Sequence, residues 1–213
     1  MVRSSTSDWL PRVLAESLLI VISILVALAL DEWRDQRQDD ETVQQALLNF
    51  LSEVQQNRSR IEDAAPFNQG LLHVLEKHFR DSSIATVDDF VNMIESYVPV
   101  ALQSTAWETA LATGSLAKMD YNLVSALSLT YNLQNRYQLT TRSGMSELLS
   151  PQNLSAEKQS LAVFNSIRYL QNTTGMEAEL SVVYSEASIV LTNAISGVPS
   201  VAPDTATQIS ASE

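Results

Sequence analysis

The chain has 213 residues, of which 25 are acidic and 13 basic, so its formal net charge at neutral pH is −12. Hydrophobic residues make up 45% of the chain and charged residues 18%, a balance that excludes a disordered polyelectrolyte. The acidic excess argues against nucleic acid as a partner, because neutralising phosphates requires clustered Lys and Arg. The absence of Cys excludes disulfides, thiolate catalysis and Cys-ligated metals.

An N-terminal tail, residues 1–12, is followed by an apolar run that predicts a transmembrane helix over residues 13–30. Of these 18 residues, 12 are Leu, Ile or Val, and only Glu16 is charged. As a helix the run covers roughly 27 Å, close to the thickness of bilayer hydrocarbon. Trp9 and Trp33 flank it and are expected to act as anchors at the two membrane interfaces.

A cleaved signal peptide covering residues 1–29 is the competing interpretation. Arg3 and Arg12 would form its basic region, and the sequence ALA at 27–29 fits a small-x-small cleavage pattern. Against cleavage, Glu16 interrupts the apolar core and no helix breaker precedes the Ala pair. The positive-inside rule favours a cytoplasmic N-terminus and a periplasmic C-terminal domain.

One face of the predicted membrane helix carries Glu16, Ile20, Ser23 and Ala27. Ser23 and Ala27 form a small-xxx-small pair, which allows two helices to approach closely. We therefore expect this face to pack against a second copy or another membrane protein, with Glu16 hydrogen-bonding across the contact. In the alternative interpretation, Ser23 and Ala27 are there only because small residues are common in membrane helices, and Glu16 only extends toward the headgroups.

Residues 31–62 predict that the membrane helix continues outward as a solvated stalk, which is followed by the first helix of a bundle. Apolar residues recur in steps of four and three, with Asn57 filling a gap in the stripe. The members of the stripe are Val43, Leu47, Phe50, Val54 and Ile61. The segment 63–66 is expected to end this helix, because Pro66 disfavours helical geometry in the residue before it.

Residues 63–196 predict a helical bundle, since 5 Gly and 6 Pro are too few for the turns of a many-stranded sheet. Capping patterns predict that one helix begins near Thr86, with Asp89 in its first turn, and that another begins at Thr105, with Glu108 three residues later. The second of these helices is expected to end at Gly114. Further helices are expected over about 67–79, after Asp120, and over 154–171 and 175–195, the last two of which can form one helix. The fold class is thus all-α, with about five bundle helices, and residues 197–213 are predicted to be a disordered tail.

The segment Glu16–Asp35, ESLLIVISILVALALDEWRD, resembles the start of an uncharacterised bacterial family of single-pass membrane proteins. That family begins with a run close to E-I-x-L-V-x-I-G-I-L-I-A-L-x-x-N-x-W. Ser23 stands where the family has Gly, and Asp31 where it has Asn. A second stretch, from Trp107 to Leu116, resembles the family's W-E-x-L-x-x-S-G-x-L. The resemblance implies an anchored helical domain of unknown function and supplies no catalytic residues.

The search for catalytic and metal-binding patterns predicts no cofactor and no metal. His73 and His78 lie five residues apart, which puts them on different helix faces and prevents shared ligation. Neither a phosphate-binding glycine loop nor a nucleophile elbow is present. Five tyrosines on predicted helices indicate core positions or, alternatively, the lining of an apolar pocket: Tyr121, Tyr131, Tyr137, Tyr169 and Tyr184.

The sequence therefore predicts a membrane-anchored helical interaction or scaffold protein of the bacterial inner membrane, and not an enzyme. Its expected partners are the lipid bilayer and either further copies of itself or another membrane protein. The alternative is a ligand-sensing helical domain with its pocket among the tyrosines. Such a domain would need a partner subunit to pass on its signal.

Overall fold

A computed structural model describes residues 9–81, 86–148, 150 and 156–197 of the chain. Within these residues the protein is all-α, with five α-helices, two short 3₁₀ turns and no strand, which confirms the predicted fold class. The expected tail lies outside the described residues from position 198 onward. So do the first eight residues of the N-terminal tail.

The first helix, α1, spans Trp9–Arg80, 72 residues in one element. The expected continuation of the apolar helix beyond residue 30 is confirmed. The chain divides into two units, Met1–Gln44 and Gln45–Glu213. In the first unit, every side chain from residue 13 to residue 38 is exposed. In the described part of the chain, α1 alone is long and apolar enough to cross a membrane, a property that signal sequences share.

The prediction that α1 ends at 63–66 is wrong, because the helix continues through Pro66 to Arg80. Proline inside a helix removes one hydrogen bond and costs about 3 kcal/mol. Two features offset this cost. Pro66 is exposed, so water can reach the carbonyl that loses its donor. The stripe of four- and three-residue steps also continues without a break across it, and buries Asn68, Leu71 and Leu75.

Two short helices follow, and both begin or end at predicted caps. Helix α2 spans Val87–Glu95, and the Thr86 hydroxyl accepts the Asp89 backbone N–H at 3.1 Å. Helix α3 spans Thr105–Thr113 and ends at Gly114, whose φ of +71° lies in the left-handed region. The predicted pairing of Thr105 with Glu108 shifts by one residue, because Glu108 accepts its hydrogen bond from the Ser104 hydroxyl at 2.6 Å.

The last two helices are long. Helix α4 spans Tyr121–Leu148, and the Asp120 carboxylate accepts two backbone N–H groups of its first turn at 2.9 and 3.1 Å. Helix α5 spans Gln159–Ile195 as one element, so the one-helix alternative for the final segment is the correct one. Gly175 lies within α5 and does not interrupt it.

The core of the second unit is formed by the buried faces of α1, α4 and α5, together with Phe90 and Ile94 of α2. One apolar cluster lies at the end of the unit where α1 finishes and α5 begins, and consists of Leu71, Leu75, Phe90, Ile94, Tyr97, Ala162, Val163, Ile167 and Leu170. Residues 97–104, which we call the α2–α3 connection, contain no helix. They bury Tyr97, Val100 and Leu102 while Val98 and Ala101 remain exposed.

Candidate functional site

The four residues of the predicted packing face all lie in α1, within the exposed apolar run. Glu16, Ile20, Ser23 and Ala27 are exposed, and helical periodicity puts them on one face. The Ser23 hydroxyl donates to the Leu19 carbonyl at 2.8 Å. The hydroxyl is therefore satisfied by its own helix, so Ser23 can serve at a helix contact as a small residue without needing a polar partner.

The two predicted interfacial anchors differ in how much of them is described. Trp9 begins α1, but its side chain is outside the described part of the structure. Trp33 is exposed, and the Arg37 guanidinium lies 5.6 Å from the centre of its ring. Arg37 also pairs with Glu41 at 3.5 Å. An indole beside a guanidinium presents both an apolar ring and a cation, the combination that suits a headgroup region.

In the second unit, two asparagines of α1 hold the α2–α3 connection by its backbone. Asn57 accepts the Gln103 N–H at 2.9 Å and donates to the Gln103 carbonyl at 2.7 Å. Asn68 does the same with the N–H and carbonyl of Val98, at 3.3 and 3.2 Å. The two asparagines are eleven residues apart, about three helical turns, so they face the connection from the same side of α1.

Side chains from α4 contact the same segment. Gln134 and Gln138 donate to the carbonyls of Gln103 and Leu102, at 2.8 and 2.7 Å. The Tyr137 hydroxyl accepts the Val100 N–H at 3.3 Å. A backbone outside regular structure must still satisfy its polar groups when it is covered. Here the side chains of two helices provide the partners.

Two buried carboxyl groups lie in this polar network, and they differ in their partners. Glu53 on α1 accepts the Tyr131 hydroxyl with one oxygen at 2.6 Å and the Ala106 N–H with the other at 3.0 Å. Glu177 on α5 is fully buried and accepts Asn68 and the Tyr137 hydroxyl, both at 2.9 Å and both at Oε1. Its Oε2 has no hydrogen-bond partner within the described residues.

Burial raises the pKa of Glu177, and the hydrogen bonds from Tyr137 and Asn68 only partly oppose this. Burial also raises the pKa values of the tyrosines around the network far above their ordinary value; these are Tyr97, Tyr131, Tyr137, Tyr169 and Tyr184. At neutral pH these hydroxyls are therefore protonated, and those of Tyr131 and Tyr137 donate to Glu53 and Glu177, respectively.

The five tyrosines do not share one pocket. Tyr137 and Tyr184 are fully buried, and their hydroxyls donate to Glu177 and to Gln134. Tyr121 is 82% exposed. Tyr131 stacks on Trp107, with ring centres 5.3 Å apart, and these two rings line a cleft of about 210 Å³ whose remaining lining is polar. A second, more open groove of about 570 Å³ lies between α1 and the connection, and includes Phe67, Val98 and Pro99.

The two histidines lie near the end of α1, where His73 is exposed and His78 half-buried. Within the described residues no group of three or more His, Asp or Glu side chains is arranged to hold a metal ion.

Sequence reasoning missed Glu53, Asn68, Gln134 and Glu177. A signal for one of them was present, because Asn68 falls on the same stripe as Asn57 once α1 is allowed to pass Pro66. An amide at a stripe position indicates a buried hydrogen-bond partner. The two glutamates and Gln134 had no such signal, since nothing in a helical pattern separates a buried glutamate from a solvated one.

Comparisons of this chain with models of known protein families, with curated proteins and with solved structures return no match.

Proposed function

We propose that this protein is a membrane-anchored helical interaction protein of the bacterial inner membrane, with its bundle on the periplasmic side. The observation that carries the proposal is the exposed apolar run in α1. The eighteen residues 13–30 contain one charge, and the side chain of each is exposed. Exposed apolar surface of this extent is unfavourable in water and favourable in hydrocarbon. The resemblance of residues 16–35 to anchored bacterial proteins supports the same proposal.

Cysteine labelling tests anchoring and orientation together, because the chain has no native Cys. Ser212→Cys and Ser4→Cys each create a single thiol, one at each end of the chain. With a membrane-impermeant maleimide on spheroplasts, we expect Ser212→Cys to be labelled directly and Ser4→Cys only after lysis. The reverse pattern would overturn the periplasmic orientation. Release of the Ser212→Cys protein into the soluble fraction would overturn the anchor and support signal-peptide cleavage.

We further propose that the face formed by Glu16, Ile20, Ser23 and Ala27 mediates self-association. Ser23→Leu with Ala27→Leu adds bulk at the point where two backbones would approach, so we expect the detergent-extracted oligomer to dissociate. A matched control is Ser17→Leu with Ala29→Leu. It makes the same two changes about 100° and 140° away around the helix and should leave the size unchanged. Light scattering of the purified protein measures both, and equal sizes would exclude this face as the contact.

Ligand sensing is the second candidate, and the cleft beside Trp107 and Tyr131 favours it. An aromatic wall with a polar rim suits a small polar molecule. A thermal-shift screen of small polar metabolites should then find a compound that stabilises the protein. The variant Ser128→Trp fills the cleft and should abolish that shift. A compound that stabilises both proteins equally would act elsewhere.

A further inference from the structure

Two buried polar atoms of the second unit have no hydrogen-bond partner within the described residues: Glu177 Oε2 and the Tyr97 hydroxyl. Both belong to residues that are almost completely inaccessible to solvent. Leaving such a group unpaired costs about 1–3 kcal/mol, and more when the group is charged. Tyr97 belongs to the connection that Asn68 and Tyr137 hold, and it also interacts electrostatically with Glu177.

Among the described residues, neither group that hydrogen-bonds to Glu177 carries a positive charge. Asn68 of α1 and Tyr137 of α4 contact it directly, and both are uncharged at neutral pH. Its titratable neighbours are tyrosines from each packed element: Tyr97 of the connection, Tyr137 of α4, and Tyr169 of α5. An isolated carboxylate in such a place is strongly unfavourable, whereas a neutral carboxylic acid can donate a hydrogen bond.

We propose that Glu177 is a proton-dependent clasp. In its uncharged form its Oε2–H donates to the Tyr97 hydroxyl, and loss of that proton loosens the α2–α3 connection. The protonated form pairs Oε2 with Tyr97 without placing an uncompensated charge in the core, while Oε1 keeps its two donors. The proton leaves to solvent, so the change is a simple acid dissociation.

The clasp would act on the connection because the partners of Glu177 also hold its backbone. Asn68 binds Val98 through both polar groups, and the Tyr137 hydroxyl accepts the N–H of Val100. A negative charge at Glu177 has only uncharged hydrogen-bond partners, Asn68 and Tyr137, and therefore favours entry of water around them. The segment that loosens carries Val98, Pro99 and Val100, which line the open groove beside Phe67. Proton loss would thus remodel one wall of that groove.

The sign of the pH effect follows from the raised pKa of Glu177 in the folded state. The contribution of protonated Glu177 to the free energy of unfolding is complete below the unfolded-state pKa of about 4.3. It is lost as pH rises through the pKa of Glu177 in the folded state. Glu177→Gln replaces the neutral acid by a neutral amide of the same shape. We expect its melting temperature to be close to that of the wild type at pH 4 and several degrees higher at pH 8.

Glu53→Gln is the matched control, since Glu53 is also buried but has donors at both oxygens. An amide there would place its NH₂ group against the Ala106 N–H or the Tyr131 hydroxyl. We therefore expect Glu53→Gln to melt below the wild type at both pH values. If Glu177→Gln also melts below the wild type at pH 8, Glu177 functions as a carboxylate and the proposal is overturned. The proposal is also overturned if sodium or potassium chloride stabilises the wild type at pH 8 more than choline chloride does. Such an effect would mean that a bound cation compensates an ionised Glu177.

Amide hydrogen exchange of the full-length protein in detergent tests the clasp without relying on a variant. After correction for the intrinsic rate, we expect protection at Val98 and Val100 to fall at least tenfold between pH 5 and pH 8. Gln103, held by Asn57 at the other end of the connection, should keep its protection. In Glu177→Gln the loss at Val98 and Val100 should disappear. Equal pH dependence at all three amides, or in both proteins, would exclude a clasp at Glu177.

Discussion

The two parts of α1 distribute polar and apolar residues in opposite ways. Over residues 13–30 the apolar side chains are exposed and nearly all charge is absent. Over residues 47–75 the same helix buries an apolar stripe and also buries the polar side chains of Glu53, Asn57 and Asn68. The comparison shows that whether an exposed or a buried side chain is favourable depends on what surrounds it. Apolar surface matches hydrocarbon, whereas a buried amide matches a backbone that has no other partner.

The strongest way to break this comparison is to put the same charge on equally exposed leucines. Leu25 is 59% exposed and Leu139 on α4 is 57% exposed. Leu25→Arg places a cation near the centre of the apolar run, where insertion costs about 2.5–3.5 kcal/mol more, so we expect loss of most protein from the carbonate-washed membrane fraction. Leu139→Arg should leave that fraction and the melting temperature almost unchanged. Equal behaviour of the two variants would show that the run does not reside in lipid.

The buried amides provide the next largest effect. Asn57→Ala removes the hydrogen bonds to Gln103 and to Gln134 and leaves a cavity, so we expect a loss of about 2–4 kcal/mol in the free energy of unfolding. Asn132→Ala removes an exposed amide whose bond to Ser128 is long, 3.4 Å, and should change stability by less than about 0.5 kcal/mol. Circular dichroism melts in detergent measure both. Similar losses would contradict the assigned role of Asn57.

A glycine within α4 tests how closely the helices of the second unit pack. A methyl group added at Gly144 of α4 would overlap the ring of Tyr169 on α5. That ring is fixed by a hydrogen bond to the Thr141 carbonyl at 3.1 Å and by an edge contact with Tyr97. Gly144→Ala should therefore destabilise the second unit by about 1–3 kcal/mol, measured by the same melts, despite alanine's better helix propensity. A gain in stability would mean that the helices separate easily here.

The smallest predicted effect has the opposite sign. Gly175 lies in the interior of α5, is exposed, and has open space where a Cβ would be placed. Gly175→Ala should raise the melting temperature, because it gains about 0.5–1 kcal/mol of helix propensity and loses no contact. A lower melting temperature for Gly175→Ala would mean that α5 bends at this position or packs there against another molecule.

The sequence predicted what depends on neighbours along the chain and missed what depends on distant ones. The caps at Thr86, Gly114 and Asp120 were predictable, because capping is a contact over two to four residues. The passage of α1 through Pro66 was not, since local preference opposes it and burial of Leu71 and Leu75 overrides it. The burial of the Glu177 carboxyl group could not be predicted either, because its hydrogen-bond partners come from α1 and α4.

The two asparagines of α1 have a consequence for how sequence change is tolerated. The conformation of the α2–α3 connection is held in part by residues 30 and 46 positions earlier in the chain, whose hydrogen bonds to Val98 and Gln103 go to the main chain. The side chains at Val98 and Gln103 are thus free to diverge, provided that each keeps its N–H group. A surface segment that can vary in composition while its backbone path stays fixed is a suitable place for a new binding specificity to evolve or to be designed.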